Sequence, residues 1–240
     1  MTNTPLIVAH RGASKTCREN TLDAFFEAQR QGAAMVELDV RRTLDGALVV
    51  HHDPFINGLG PIVGRNRAEL PDYVPLLTEA LDACEGMQVN IEIKNDRSEP
   101  DFDPNDAVAA AVVSLLGQRG DGDRMLVSSF RFDTIDAALR HNSSLRTGFL
   151  FTRSPLSALR LKALLHRTAA AGHVAVHPYH RGVTRRMCEL AHDVGLMVNT
   201  WTVDDPVRML VLSQMGVDAV ITNLPSVAVE SFRKDRQRRR

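Results

Sequence analysis

Short apolar runs rich in β-branched residues alternate with helical patterns along almost the whole chain, and this alternation is the strongest constraint on its fold. Strands are expected at Leu6–His10, Met35–Arg41, Leu48–His51, Val89–Lys94, Met125–Ser129, Thr147–Phe151, Val174–His177, Met197–Trp201 and Ala219–Thr222. Helices are expected at Thr21–Gln31, Thr78–Ala83, Asp106–Leu116, Asp133–Arg140, Leu156–Ala169, Thr184–Asp193 and Pro206–Met215. Alternating strand and helix argues for an α/β fold with a parallel sheet and helices outside it. About eight such units fit a closed TIM (β/α)8 barrel better than an open sheet, and 240 residues is an ordinary length for one. An open sheet binding a dinucleotide would show GxGxxG in its first turn, where this chain reads HRGASKTCRENT.

Other classes fall away on composition. The chain is 44% hydrophobic, enough for a substantial core, so extensive disorder is excluded. Cys17, Cys84 and Cys188 have no paired spacing, which excludes a disulfide scaffold and suits a reducing compartment. Walker A, GxSxG and structural-zinc spacings are absent from the sequence. No apolar run reaches the roughly 18 residues of a membrane span. The opening MTNTPLIVAHRG lacks a secretory signal, so the expected location is the cytoplasm. Net charge is zero, but residues 233–240 carry six basic side chains and one acidic. The remainder is therefore near −5, which argues against nucleic acid as a partner. The expected organisation is one barrel domain over residues 1–232 and a disordered basic tail over 233–240. That tail is either a solvated end or a peripheral contact for anionic membrane.

Four segments carry candidate chemistry. In Glu37-Leu38-Asp39, strand alternation turns both carboxylates to one face. They either reach solvent at a strand end or, if buried, need a compensating cation; oxygen ligands suit Mg2+ or Ca2+. Glu92 and Lys94 likewise share a face, as an ion pair or as part of a site at a strand's C-terminal end. His10-Arg11-Gly12 ends the first strand. Its imidazole suits acid–base work and its guanidinium suits phosphate, although a capping or core histidine is the alternative.

The fourth segment is a hairpin. Asp45-Gly46 between apolar runs predicts a two-residue type I′ turn. Leu44 then pairs with Ala47, and Asp39 with His52, so His52 joins the acidic face and His51 points away; a one-residue bulge would reverse the choice. The Gly- and Pro-rich stretch Pro54–Pro75 then reads as a long irregular loop, a short insertion after the His52-Asp53 strand.

Together these segments resemble the glycerophosphodiester phosphodiesterase family. The matching residues are His10-Arg11-Gly12, Glu19-Asn20-Thr21, Glu37-Leu38-Asp39-Val40, Asp45-Gly46, His52-Asp53, Glu92-Ile93-Lys94, Ser128-Ser129-Phe130, Trp201-Thr202-Val203 and Thr222-Asn223-Leu224-Pro225, in the family's order. The chain departs from the family after His52-Asp53, where Pro54-Phe55-Ile56-Asn57-Gly58 replaces a Leu-Asp-Arg-Thr-Thr-like stretch. The resemblance implies a TIM-barrel enzyme that hydrolyses small glycerophosphodiesters to sn-glycerol 3-phosphate and an alcohol. It implies one divalent cation, Mg2+ or Ca2+, on Glu37, Asp39 and Glu92. His10 and His52 would do acid–base work, and Arg11 and Lys94 would contact phosphate.

Further residues are weighed on position. Glu19 either orients Arg11 or supports the helix start by its charge. Trp201 either packs against a substrate moiety or fills the core. Ser128, Ser129 and His177 end strands that could face the pocket. Two alternatives stay open: a lysophospholipase D or sphingomyelinase-D-like lipid phosphodiesterase, favoured by an apolar groove near Phe55, Leu59 and Ile62, and an inactive phosphate- or polyol-binding barrel.

Overall fold

The computed structural model describes residues 4–152 and 158–238. Its strands are β1 (Leu6–His10), β2 (Met35–Arg42), β3 (Leu48–Val50), β4 (Phe55–Ile56), β5 (Gly60–Pro61), β6 (Gln88–Ile93), β7 (Met125–Ser129), β8 (Thr147–Phe151), β9 (Ala175–Pro178), β10 (Met197–Thr200) and β11 (Ala219–Thr222). Its α-helices are α1 (Leu22–Arg30), α2 (Leu77–Ala83), α3 (Ala107–Arg119), α4 (Phe132–His141), α5 (Ala158–Ala170), α6 (Arg185–His192), α7 (Pro206–Met215) and α8 (Pro225–Arg238). The expected start of α5 at Leu156 lies outside the described residues.

The main sheet runs β1-β11-β10-β9-β8-β7-β6-β2-β3, and β1 also pairs with β2. That extra pairing closes the parallel strands into the expected TIM barrel, with β3 attached antiparallel to β2. Paired residues on parallel strands share a face, so the registers define the barrel interior. Val8, Met35, Leu126, Ala175, Ala219 and Ile221 form an apolar cluster there. Between strands and helices lie two larger apolar clusters, one containing Phe25, Leu38, Ile91 and Val112, the other Leu165, Val176, Met187 and Leu212. Full burial of each such side chain contributes about 1.5–3 kcal/mol before entropy is set against it.

The helices start where local chemistry tells them to. Thr21 caps α1 by accepting from the Ala24 amide, and Thr184 caps α6 through the Met187 amide. Asp205 caps α7, with Pro206 at its first turn.

Three expectations need correction. The hairpin is not a two-residue type I′ turn: β2 and β3 pair Val40 with Val50 and Arg42 with Leu48. The loop has three residues, with the Gly46 amide donating to Thr43 O and the Thr43 amide to Ala47 O. Only its third position, Gly46 at φ +86°, is left-handed, whereas type I′ would require Asp45 to be so too. The Thr43 hydroxyl, bonded to Asp45 and to the Ala47 amide, stabilises the observed turn. Register therefore sets His51, not His52, opposite Asp39, and the His51 amide donates to Asp39 O at 3.0 Å.

The Pro54–Pro75 segment is more ordered than an irregular loop. It forms the β4–β5 hairpin and two short 3-10 turns around a small core of Val49, Ile56, Ile62, Leu70 and Val74. Finally, the basic tail is not disordered through residue 238, because α8 carries it. Arg233 and Lys234 pair with Glu230 one turn back, at 2.8 and 3.1 Å, and basic residues suit a helix C-terminus. Arg239 and Arg240 lie outside the described residues.

Candidate active site

The adjacent strands β1, β2 and β6 bring most of the predicted residues together at their C-terminal ends. His10 pairs with Glu37, Glu37 with Asn90, and Asp39 with Glu92. Glu37, Asp39 and Glu92 are buried, and one carboxylate oxygen from each lies within 4.8 Å of the others. The solvent-exposed alternative for this pair of β2 carboxylates is thereby removed.

Their environments differ. Glu37 Oε2 accepts from the Arg11 backbone amide at 2.9 Å, yet burial and the neighbouring Asp39 and Glu92 push its carboxyl well above the usual range. Burial also opposes the charge on Asp39. Lys94, Arg11, His52 and Asn20 overcome that penalty and hold Asp39 down to about 2. Arg11 Nε is 3.1 Å and Lys94 Nζ 3.5 Å from Asp39, and Asn20 Nδ2 donates to it at 2.8 Å. Lys94 Nζ is 2.8 Å from Glu92 Oε1. Burial raises Glu92, with Lys94 opposing the shift. Glu37 Oε1 and Asp39 Oδ1 are buried with no hydrogen-bond partner. Two carboxyl oxygens without a hydrogen bond, beside a third carboxyl group, form an oxygen donor set that fits a hard divalent cation. The cluster can hold a metal.

Backbone geometry at the β1 exit makes this possible. Arg11 (φ +55°) and Asn20 (φ +57°) are both left-handed; the Arg11 amide donates to Glu37, and the Asn20 amide donates to the Arg11 carbonyl. Gly12 follows at φ +81°, and a Cβ there would sit 2.7 Å from backbone atoms of Ala24. Only glycine fits that approach of β1 to α1.

A cavity of about 120 Å³ lies against the cluster. His10, Arg11, Glu37, His52, Glu92 and Lys94 line its charged side, and Phe130, Leu150, Trp201 and Ile221 its apolar side. Both predicted histidines reach it. His52 does so because β3 stops at Val50, after which strand alternation no longer governs where a side chain points. Its Nδ1 is 2.7 Å from Asp53 Oδ1. His51 instead bonds the Asp53 carbonyl and lines a neighbouring polar cavity of about 200 Å³ with Arg18, Asn57 and Tyr73.

His10 Nδ1 is 2.7 Å from Asn223 Oδ1, and Nε2 is 3.9 Å from Glu37. Asn223 is held in turn by Asp204, which accepts from its side chain at 2.7 Å and its amide at 2.9 Å. Burial and the adjacent Arg11 pull His10 below the ordinary imidazole value, with Asn223, Asp39 and Glu19 opposing. Its neutral form therefore predominates at pH 7.

Glu19 orients Arg11, Oε1 to Nη1 at 2.9 Å, while Thr21 does the capping. Trp201 lines the cavity edge-on to Phe130 at 5.4 Å and donates its indole N–H to His177 O. His177 itself does not line the cavity. It is buried against Asn199, and burial pushes its imidazole down to about 3. Ser129 bonds Ile93 O, and Ser128 is buried. Motif inspection gave no roles to the clasp of Asn20 on Asp39 or to the Asp204–Asn223–His10 chain. The sequence signal for both asparagines is their place in the matched motifs Glu19-Asn20-Thr21 and Thr222-Asn223-Leu224-Pro225.

A TIM barrel whose C-terminal rim gathers buried carboxylates, two cations and two imidazoles round one cavity defines a barrel enzyme. The sequence profile of the glycerophosphoryl diester phosphodiesterase family matches residues 10–227, and the chain belongs to that family. It is 27% identical to the glycerophosphodiester phosphodiesterase of Caldanaerobacter subterraneus over 95% of this chain and 98% of that protein. It is also 27% identical to the enzyme of that name from Bacillus subtilis, over 92% and 84% of the two chains. A phosphodiesterase from Oleispira antarctica, solved in complex with the product sn-glycerol-3-phosphate, superposes with a TM-score of 0.85 at 25% identity, covering 96% of this chain and 97% of that one. Among the described residues no helix is long and apolar enough to cross a membrane.

Proposed function

We propose that this protein is a metal-dependent phosphodiesterase that hydrolyses small glycerophosphodiesters to sn-glycerol 3-phosphate and an alcohol. Glu37, Asp39 and Glu92 would hold one divalent cation, Mg2+ or Ca2+. When bound, the cation supplies charge neutralisation at a phosphate oxygen.

The chain's own groups account for the rest. Arg11 and Lys94 place two positive charges on the cavity wall, where charge accumulates as phosphorus becomes five-coordinate. The attacking oxygen must lose a proton and the leaving alkoxide must gain one. His10 and His52 flank the cavity and are suited to exchange those protons. Asn223 and Asp53 hold one ring nitrogen of each, leaving the other free for the substrate. Trp201 and Phe130 offer apolar faces to the carbon skeleton of glycerol.

The observation that carries this reading is one small cavity bordered by both imidazoles, two cations and two of the three clustered carboxylates. A water-soluble diester is favoured over a lipid. Ile62 is fully buried in the insertion core, and the cavity beside Phe55 is lined mostly by polar side chains.

The test is release of glycerol 3-phosphate from glycerophosphocholine by chelated protein, before and after Mg2+ or Ca2+ is restored, with a lysophospholipid in parallel. Activity is expected only with cation and mainly on glycerophosphocholine. Turnover that survives chelation would overturn the metal role, and preference for the lysolipid would overturn the substrate class.

A further inference from the structure

Arg41 follows Glu37 and Asp39 on the inward face of β2 and is fully buried. A guanidinium has five N–H donors, and leaving any of them unpaired in the interior is costly. All five have acceptors. Nε and Nη2 both donate to the backbone carbonyl of His52, at 2.8 and 2.5 Å. Nη1 and Nη2 each donate to one oxygen of Glu99 at 3.0 Å, and Nη1 also donates to Asp101 at 2.6 Å.

The gripped carbonyl belongs to a residue that no sheet ladder holds. β3 ends at Val50, and the His51 amide makes the last bond back to β2. The His52 side chain is 32% exposed. Glu99 and Asp101 come from the connection between β6 and α3, so one buried cation ties together the two loops beside the cavity. A buried ion cluster of this kind is weak evidence for stability, since apolar side chains of similar volume often serve stability as well or better. A geometric role explains it.

We propose that Arg41 is a positioning residue for His52: its fork on the His52 carbonyl sets where the imidazole stands, and Glu99 and Asp101 hold the fork. This rests on the acid–base role of His52 given above. Asp53 fixes the ring, and Arg41 fixes the backbone that carries it.

The experiment is a cycle of Arg41→Gln and His52→Ala, singly and combined, with Arg41→Lys alongside. Turnover of glycerophosphocholine at saturating cation, cation affinity and Tm are measured for each. Arg41→Gln is expected to lower kcat roughly 10- to 10²-fold, the scale of a small misplacement, with KM and cation affinity nearly unchanged. In the His52→Ala background the same change should cost nothing more. Arg41→Lys, which keeps the charge but loses the planar fork, should fall between. If Arg41→Gln fails to fold, Arg41→Lys carries the same comparison. Wild-type kcat in the folded Arg41 variants, an equal loss in both backgrounds, or a parallel loss of cation affinity would overturn the proposal. A fully active His52→Ala would remove the role of His52 and this inference with it; an impaired His52→Ala beside an unimpaired Arg41→Gln would remove this inference alone.

Discussion

The wall of the barrel formed by β1, β2 and β6 and the wall formed by β8, β9 and β10 are made of the same repeat, and each carries an inward-facing histidine, half-buried in the first and fully buried in the second. They differ in what surrounds it. His10 sits among Glu37, Asp39 and Glu19, with Asn223 on Nδ1 and its other nitrogen toward the cavity. His177 sits among neutral groups, bonded to Asn199, with Nδ1 unpartnered. Burial lowers both, but only on the charged wall do anions and a carboxamide oppose the shift. A base serves best with a pKa near working pH, so an imidazole driven to about 3 is chemically idle. The clustered carboxylates could hold a cation, and one of them, Asp39, joins Asn223 and Glu19 in opposing the downward shift of His10.

The largest effect should come from neutralising the charged wall. Asp39→Asn or Glu92→Gln is expected to reduce turnover to that of the chelated protein and to abolish Mg2+ binding by calorimetry. Retained binding would mean that the carboxylates are not the cation site.

Next come the histidines. His10→Ala and His52→Ala should each cost roughly 10²–10⁴ in kcat. His51→Ala and His177→Gln should leave kcat nearly unchanged, because neither side chain lines the 120 Å³ cavity. A deep loss in His177→Gln would erase the contrast between the walls.

Asn223→Ala frees the His10 ring without removing it. Its expected cost is smaller, about 10-fold to 10² in kcat, with KM little changed. An effect no larger than that of His51→Ala would mean the ring needs no holding.

The last effect concerns stability, not turnover, and lies on the neutral wall. His177 titrates near 3 in the folded protein and near its ordinary value when unfolded. Below about pH 6.5 the unfolded chain binds a proton that the folded chain refuses, so stability falls with pH down to about 3. The contribution is about 1.4 kcal/mol per pH unit within that window. Denaturation of His177→Gln should show a shallower loss by that amount between pH 6 and 4.5, and an unchanged slope would place a proton acceptor elsewhere.

Legibility followed distance along the chain. The shared face of Glu37 and Asp39 is a two-residue fact, and the structure keeps it. The turn at Asp45-Gly46 is also local, yet it was misread. The Thr43 hydroxyl stabilises a three-residue loop, and dipeptide preference does not register that competition. His52 reaches the cavity although the register argument for it fails, because the strand ends two residues earlier. Composition points to a disordered basic tail because it hides the Glu230 pairs that continue α8; the tail's side chains are mostly exposed on that helix.

By itself, the sequence determined the alternating strands and helices, the face on which each acidic side chain lies, and the family motifs. These depend on near neighbours and on backbone periodicity, which any short window contains. Only the tertiary structure decided which polar groups meet: Asn223 with His10 across 213 positions, Asn20 with Asp39, and Arg41 with Glu99 and Asp101. Those contacts exist because β1 closes against β11 and β2 while β2 pairs with β6, and these pairings join segments far apart in the chain.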